Sequence, residues 1–421
     1  MNFKLALAAA AVVGLAGTAQ AADLAKKAPA AANYVKVCDA YGAGYFYIPG
    51  SDTCLKIGGY VQATYGLNSY SKSSGGIWGW QRGQNGIFTQ ARAHINLDAR
   101  TNTEMGLLRS FMDIEFNNGS YGGASGLTGI SLKKAFIQFG GLTAGRATSF
   151  FDFFNGDYTE NAVFEASHSD ANVNLLAYTF SFGNGVTATL SIEDPSTSDD
   201  NGRRTTLANP YGGVHSPDLV GNVNVSQAWG SAQAMAALHM DDAAAGTLNQ
   251  NKTGYALGAG VKINLPMLGA ADQIALQVEY AKGAIGYIGY LDTAGSLNGA
   301  GVLTGGAVDF GTNNGTIGQN SAWAVAAGFT HGFTKTITGN LEASYAKYST
   351  DRVLATVGDF AQWNVNGNLT WAPVKNLAII GEVEYQNVDY TSSANSSLGV
   401  ARSEEHTSEL QSRVDISYAV F

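Results

Sequence analysis

Charge is what this chain has least of. Asp, Glu, Lys and Arg make up 14% of its 421 residues, against roughly 25% in soluble domains. That deficit weighs against a water-soluble protein, for which the matching alternative is a large soluble all-β domain. Proline is scarce, at 7 residues. After the N-terminus no apolar stretch reaches the roughly 18 residues that a spanning helix needs. The six histidines are scattered without metal-ligand spacing. GYALGAG has paired glycines but no helix to follow, so it is no phosphate loop. There is no nucleophile elbow and no basic patch suited to nucleic acid. These absences leave no enzyme signature, no metal or other cofactor, and no nucleic-acid partner to expect.

What the chain does have is glycine, at 53 residues, and aromatics at 11%, led by 20 Tyr and 19 Phe. It begins with Lys4, an apolar run LALAAAAVVGLAG, and the small-x-small string Ala19-Gln20-Ala21. That pattern predicts a signal peptide over residues 1–21, cleaved near Ala21. Losing Lys4 leaves 23 bases against 33 acids, a net charge of −10. Residues 22–54 read as a linker followed by a loop between the only two cysteines, Cys38 and Cys54. In an exported chain an even cysteine count predicts a disulfide.

From residue 55 to residue 421 the dominant period is two, the mark of strands with two different faces. In FTQARAHINLDAR, Ala91, Ala93, Ile95, Leu97 and Ala99 share one face, and Arg92, His94, Asn96, Asp98 and Arg100 the other. Sixteen such runs follow one another. Seven short turns alternate with eight long connections, at 69–85, 118–128, 151–172, 195–217, 242–253, 283–319, 350–358 and 391–411. An even meander with its loops sorted by side predicts an all-β fold. We expect a 16-stranded antiparallel transmembrane β-barrel with short periplasmic turns and long outer loops. Sixteen strands leave an aqueous channel. Trp323, Val325 and Phe329, or Val365, Leu369 and Trp371, would face lipid, while Asn364, Asn366, Asn368, Glu382 and Glu384 would face water. Tyr65, Trp323, Tyr345, Trp371 and Tyr385 suit interfacial girdles.

The connection after strand 5 stands out, because structureless loops of that length tend to be functional or disordered. It holds Asp152, Asp157, Glu160, Glu165 and Asp170 together with Phe151, Phe153, Phe154 and Phe164. The aromatics argue against disorder. We expect this loop to fold inward, with its phenyl rings against the wall. Asp152 and Asp170 flank it and also suit turn capping. Arg92, Arg109, Lys134 and Arg146 fall near the middle of their runs on four neighbouring strands. They predict a basic wall at one depth, facing the acidic loop across a constriction. His94 reads as a wall residue.

VKVCDAYGAGYFYIPGSDTCLKIGGYVQ (35–62) and AFIQFGGLTAGRATSFFDFF (135–154) resemble the opening segment and the constriction-loop entry of the alphaproteobacterial porins, the family of the Brucella and Rhizobium porins. The resemblance implies a homotrimeric, water-filled diffusion channel in the cell outer membrane, surrounded by lipid and lipopolysaccharide and passing small hydrophilic solutes and ions. The alternatives are a substrate-specific channel, for example for sugars, and an outer-membrane enzyme or adhesin. The C-terminus departs from the family pattern: Phe421 is one residue out of phase with Val414, Ile416, Tyr418 and Val420. Residues 402–412 read RSEEHTSELQS, which looks like the in-frame translation of a sequencing-adapter oligonucleotide.

Overall fold

Sixteen long strands run antiparallel through the computed structural model. It describes residues 36–70, 87–119, 127–154, 158, 169–196, 203–204, 211–245, 248–289, 307–313, 316–351, 359–390 and 407–418. The strands are β1 (Cys54–Tyr70), β2 (Ile87–Thr103), β3 (Gly106–Gly119), β4 (Leu127–Phe139), β5 (Leu142–Thr148), β6 (Asn172–Gly183), β7 (Val186–Glu193) and β8 (Asp218–Gln227). They continue as β9 (Gly230–Ala245), β10 (Leu248–Asn264), β11 (Gln273–Lys282), β12 (Ser321–Gly332), β13 (Ile337–Ser349), β14 (Phe360–Val374), β15 (Leu377–Tyr390) and β16 (Thr407–Tyr418). Each pairs with the next. β9 pairs with β8 as well as β10, and β16 pairs with β1 as well as β15. Every one of the sixteen therefore has a hydrogen-bonded neighbour on both sides, the arrangement a sheet needs where no water can satisfy its edges.

Burial runs inside out, and period two is the reason. Leu190, Leu257, Leu341, Leu369 and Trp371 are exposed, whereas Gln362, Asn364, Asn366, Glu382 and Glu384 are buried. The apolar face thus points away from the sheet's interior and the polar face toward it, the reverse of a soluble sandwich and the pattern of a barrel in lipid. Trp323 packs at a tilt against Tyr345, and Trp363 against Tyr385, at 5.3 and 5.1 Å between ring centroids.

The short turns are built for tight reversal. Asn184 and Asn376 hold positive φ values of 50° and 68°, the left-handed region where Asn is tolerated. One connection differs from expectation. The loop expected at 242–253 is strand for most of its length, since β9 runs to Ala245 and β10 restarts at Leu248. The DDAAAGTLNQ stretch carries no lipid-facing apolar row, so period two gives no sign of a strand there.

The disulfide between Cys38 and Cys54 is present. It ties residues 38–54 beneath β1, where Tyr45 donates to Asp98 Oδ2 at 2.8 Å.

Among the described residues the largest buried apolar cluster lies inside the ring. Phe151, Ile285, Tyr287, Ile288 and Tyr348 pack there against Ala237, Ala256, Ala281, Ala322, Ala324 and Ala346. Small inward residues on β9–β13 leave room for connections that fold back into the interior.

Candidate functional site

The connection after β5 turns into the barrel at once. Phe150 and Phe151 follow Thr148, and their carbonyls accept from Asn222 on β8 (2.6 Å) and Gln233 on β9 (3.3 Å). Phe154 N–H donates to Gln277 Oε1 on β11 at 3.0 Å. Tyr158 OH donates to Gln273 at 2.7 Å, and Asn368 on β14 donates to the Tyr158 carbonyl at 2.8 Å. Residues 150–154 and Tyr158 thus lie along the far wall from β8 to β14, held by the amide side chains of that wall. Phe154 and Tyr158 are buried edge to face. The wall has glycine where the rings press hardest: a Cβ on Gly260 would stand 2.5 Å from Phe153, and one on Gly328 2.6 Å from Tyr158. Lys262 lies 5.0 Å from the Phe153 ring centroid, a cation–π contact.

Asp152, expected among the acids facing the basic wall, is buried instead. Its carboxylate pairs with Arg203 at 2.7 Å, both side chains having no exposure, and accepts from Ser169 and from Ala171 N–H. The reason is that a second connection, the one after β7, brings Arg203 into contact. Burial pushes the Asp152 carboxyl up to about 6, against the pull of Arg203 and of its hydrogen bonds. Arg203 also lies 4.2 Å from the centroid of the Tyr287 ring and donates to the Gly286 carbonyl at 3.2 Å. Asp170 is exposed. Asp157, Glu160, Glu165 and Phe164 lie outside the described residues.

The opposite wall, β2–β4, carries the expected bases in a different arrangement. Arg92 pairs across the ladder with Asn117, whereas Arg109 pairs with Arg100. On β3 the two levels, 117 and 109, are eight residues apart, about 27 Å along the strand. The bases therefore do not share one depth. They form a lengthwise stripe interleaved with acids that sequence reasoning passed over. Asp98 accepts both Arg109 (2.9 and 2.9 Å) and Arg100 (3.1 and 2.8 Å). Glu115 lies 2.7 Å from His94 and 3.6 Å from each of Arg92 and Lys133, and it accepts from Asn117. His94 also meets Asp113 at 3.2 Å.

Lys134 stands opposite Asp113, and a register shift between Asp113 and Ile114 leaves Lys133 as the extra residue. That bulge brings Lys133 within 3.6 Å of Glu115. The adjacent KK pair, which breaks period two, is the one sign of it in the sequence. Arg146 faces Ala135 and Asn174 across its ladders, and its Nε donates to the Leu132 carbonyl at 2.9 Å. Among the described residues no acid pairs with it.

The Porin subfamily model matches residues 23–414. Porin Omp2b of Brucella abortus (strain 2308) is 36% identical over 246 residues, which is 55% of this chain and 64% of the relative. Omp2b of Brucella melitensis biotype 1 aligns over the same extent with the same identity. The match thus spans a little under two thirds of these relatives' length. Among solved structures, the outer membrane channel DcaP of Acinetobacter baumannii superposes with a TM-score of 0.66 at 14% identity, over 89% of this chain and 99% of that one. OmpT of Vibrio cholerae gives 0.52 at 10% identity, over 89% and 99%. At these identities the two structures bear on the fold alone.

Proposed function

The chain belongs to the Porin subfamily, and from that premise we propose that it forms a passive, water-filled channel in the cell outer membrane. Small hydrophilic solutes and ions cross it down their gradients, filtered by size and charge at a constriction. One observation carries the reading. Phe151, Phe154 and Tyr158 of the connection after β5 are seated inside the barrel by Gln233, Gln273, Gln277 and Asn368, across from a wall of alternating bases and acids on β2–β4. A water-filled gap between such surfaces favours hydrated, polar solutes. No step of chemistry is needed, so the protein is not an enzyme. We also infer a homotrimer on family grounds.

The test is conductance in planar bilayers with a graded series of sugars. Permeation that falls smoothly with solute size supports diffusion. Saturation by one sugar replaces this reading with that of a substrate-specific channel. Neutralising Asp157, Glu160 and Glu165 together is expected to shift selectivity toward anions. A triple variant with unchanged conductance and selectivity in dilute salt removes that loop from the constriction.

A further inference from the structure

A second cluster lies away from the constriction, toward the end of β9 farthest from the short turn at Ala228–Trp229. His239 and Asp241 are alternate residues of β9 on one face. Asp309 comes from the connection after β11, and Tyr211 from the connection after β7. His239, Asp241 and Asp309 are all buried, with one potential ligand atom from each within 4.8 Å of the others.

What singles the cluster out is the direction of those atoms. His239 Nδ1 lies 2.9 Å from both oxygens of Asp218, which in turn accepts from Tyr287 OH at 2.7 Å. That clamp fixes the ring and turns Nε2 toward Tyr211. Asp241 Oδ2 accepts from Gln319 at 2.7 Å, and Asp309 Oδ1 accepts from Ile285 N–H at 2.5 Å. Each group is held from behind, and the remaining atoms converge. His239 Nε2, Asp241 Oδ1 and Asp309 Oδ2 lie 3.2, 3.2 and 2.7 Å from a single point, the Tyr211 hydroxyl.

A carboxylate behind the imidazole, hydrogen-bonded carboxylates beside it, and three inward lone pairs are the outer-shell pattern of metal-ligating residues. The donor set, one nitrogen and carboxylate oxygens with a phenol oxygen alongside, suits a borderline divalent cation such as zinc over calcium, which takes six or more oxygens.

We propose that His239, Asp241 and Asp309 bind one divalent transition cation, with Tyr211 as a further oxygen ligand, and that the ion fastens the connections after β7 and β11 to β9. The site is closed, as structural sites are.

The experiment uses the full-length protein in detergent, stripped with a chelator and titrated calorimetrically with zinc chloride. Cobalt(II) absorption reports the ligand geometry, and calcium chloride serves as the contrast. We expect one zinc per chain. His239→Gln and Asp309→Asn should each weaken it on the order of 100-fold, and Asp218→Asn about 10–100-fold through lost orientation. The wild-type titration decides the matter even if a variant does not fold: no stoichiometric zinc overturns the proposal. So does zinc binding that His239→Gln, folded by circular dichroism, leaves intact, or calcium binding equal to zinc.

Discussion

Replacing Glu115 with Gln tests whether the β2–β4 wall governs which ions pass. The change is nearly isosteric and keeps the acceptor for Asn117, but it removes one negative charge from the centre of the network with Arg92, His94 and Lys133. An ion passing at about 6 Å through water feels a unit charge as about 0.7 kcal/mol. Screening with a Debye length of about 10 Å at 0.1 M reduces this to about 0.4 kcal/mol. Cations then lose, and anions gain, about twofold each. The cation-to-anion permeability ratio should fall about fourfold. At 1 M, where the Debye length is about 3 Å, the same arithmetic gives a ratio change of about 1.4-fold. Reversal potentials in planar bilayers across a tenfold gradient, at both ionic strengths, measure this directly. Heat-modifiable electrophoretic mobility confirms that the barrel is intact. An unchanged ratio in dilute salt would show that the permeation path does not pass this wall. A shift that persists undiminished at 1 M would mean that the substitution acts by altering shape, not charge.

Three other outcomes follow from the geometry. Asp152 carries a folded-state value of about 6, above its ordinary 3.8, so the native chain binds that proton more tightly than the unfolded one. Its contribution, about 2–3 kcal/mol, is fully present below about pH 4 and lost as pH rises through 6. The stability difference between wild type and Asp152→Asn should therefore decline over that window, and a flat difference in unfolding midpoint refutes it. Gly328→Ala places a methyl 2.6 Å from the Tyr158 ring, which must move by about 1 Å to regain ordinary contact. Single-channel conductance should drop as the connection at Tyr158 is pushed off the wall, and wild-type conductance would mean that its seating there does not bear on the bore. Replacing Cys38 and Cys54 with Ser opens a loop of separation 16, worth about 3 kcal/mol on the chain-entropy model. Proteolysis of residues 38–54 should accelerate while the barrel core resists, and equal cleavage rates count against that estimate.

The strands were legible because lipid on one side and water on the other force period two, and a row such as Ala91, Ala93, Ile95 and Leu97 shows it. The extension of β9 to Ala245 was not, because DDAAAGTLNQ has no alternating apolar row to advertise a strand. Inward folding of the β5 connection was readable from its aromatics. The depth of the bases was not: Arg92 and Arg109 each lie near the middle of a run, but depth depends on hairpin register and on the bulge at Lys133, and neither is a property of one strand. Asp152 looked like any loop acid because its partner Arg203 lies 51 residues away, in a connection with no period. His239 and Asp309 are 70 positions apart and meet only through a folded-back loop.

Arg203 has a further consequence, in evolutionary terms. It comes from one outer connection, pairs with Asp152 of a second and touches Gly286 of a third, where a Cβ would stand 2.4 Å from the Arg203 carbonyl. Arg203 thereby ties the connection after β5 to two others. A change at any one of Arg203, Asp152 and Gly286 therefore strands the other two, so the three positions are expected to vary together.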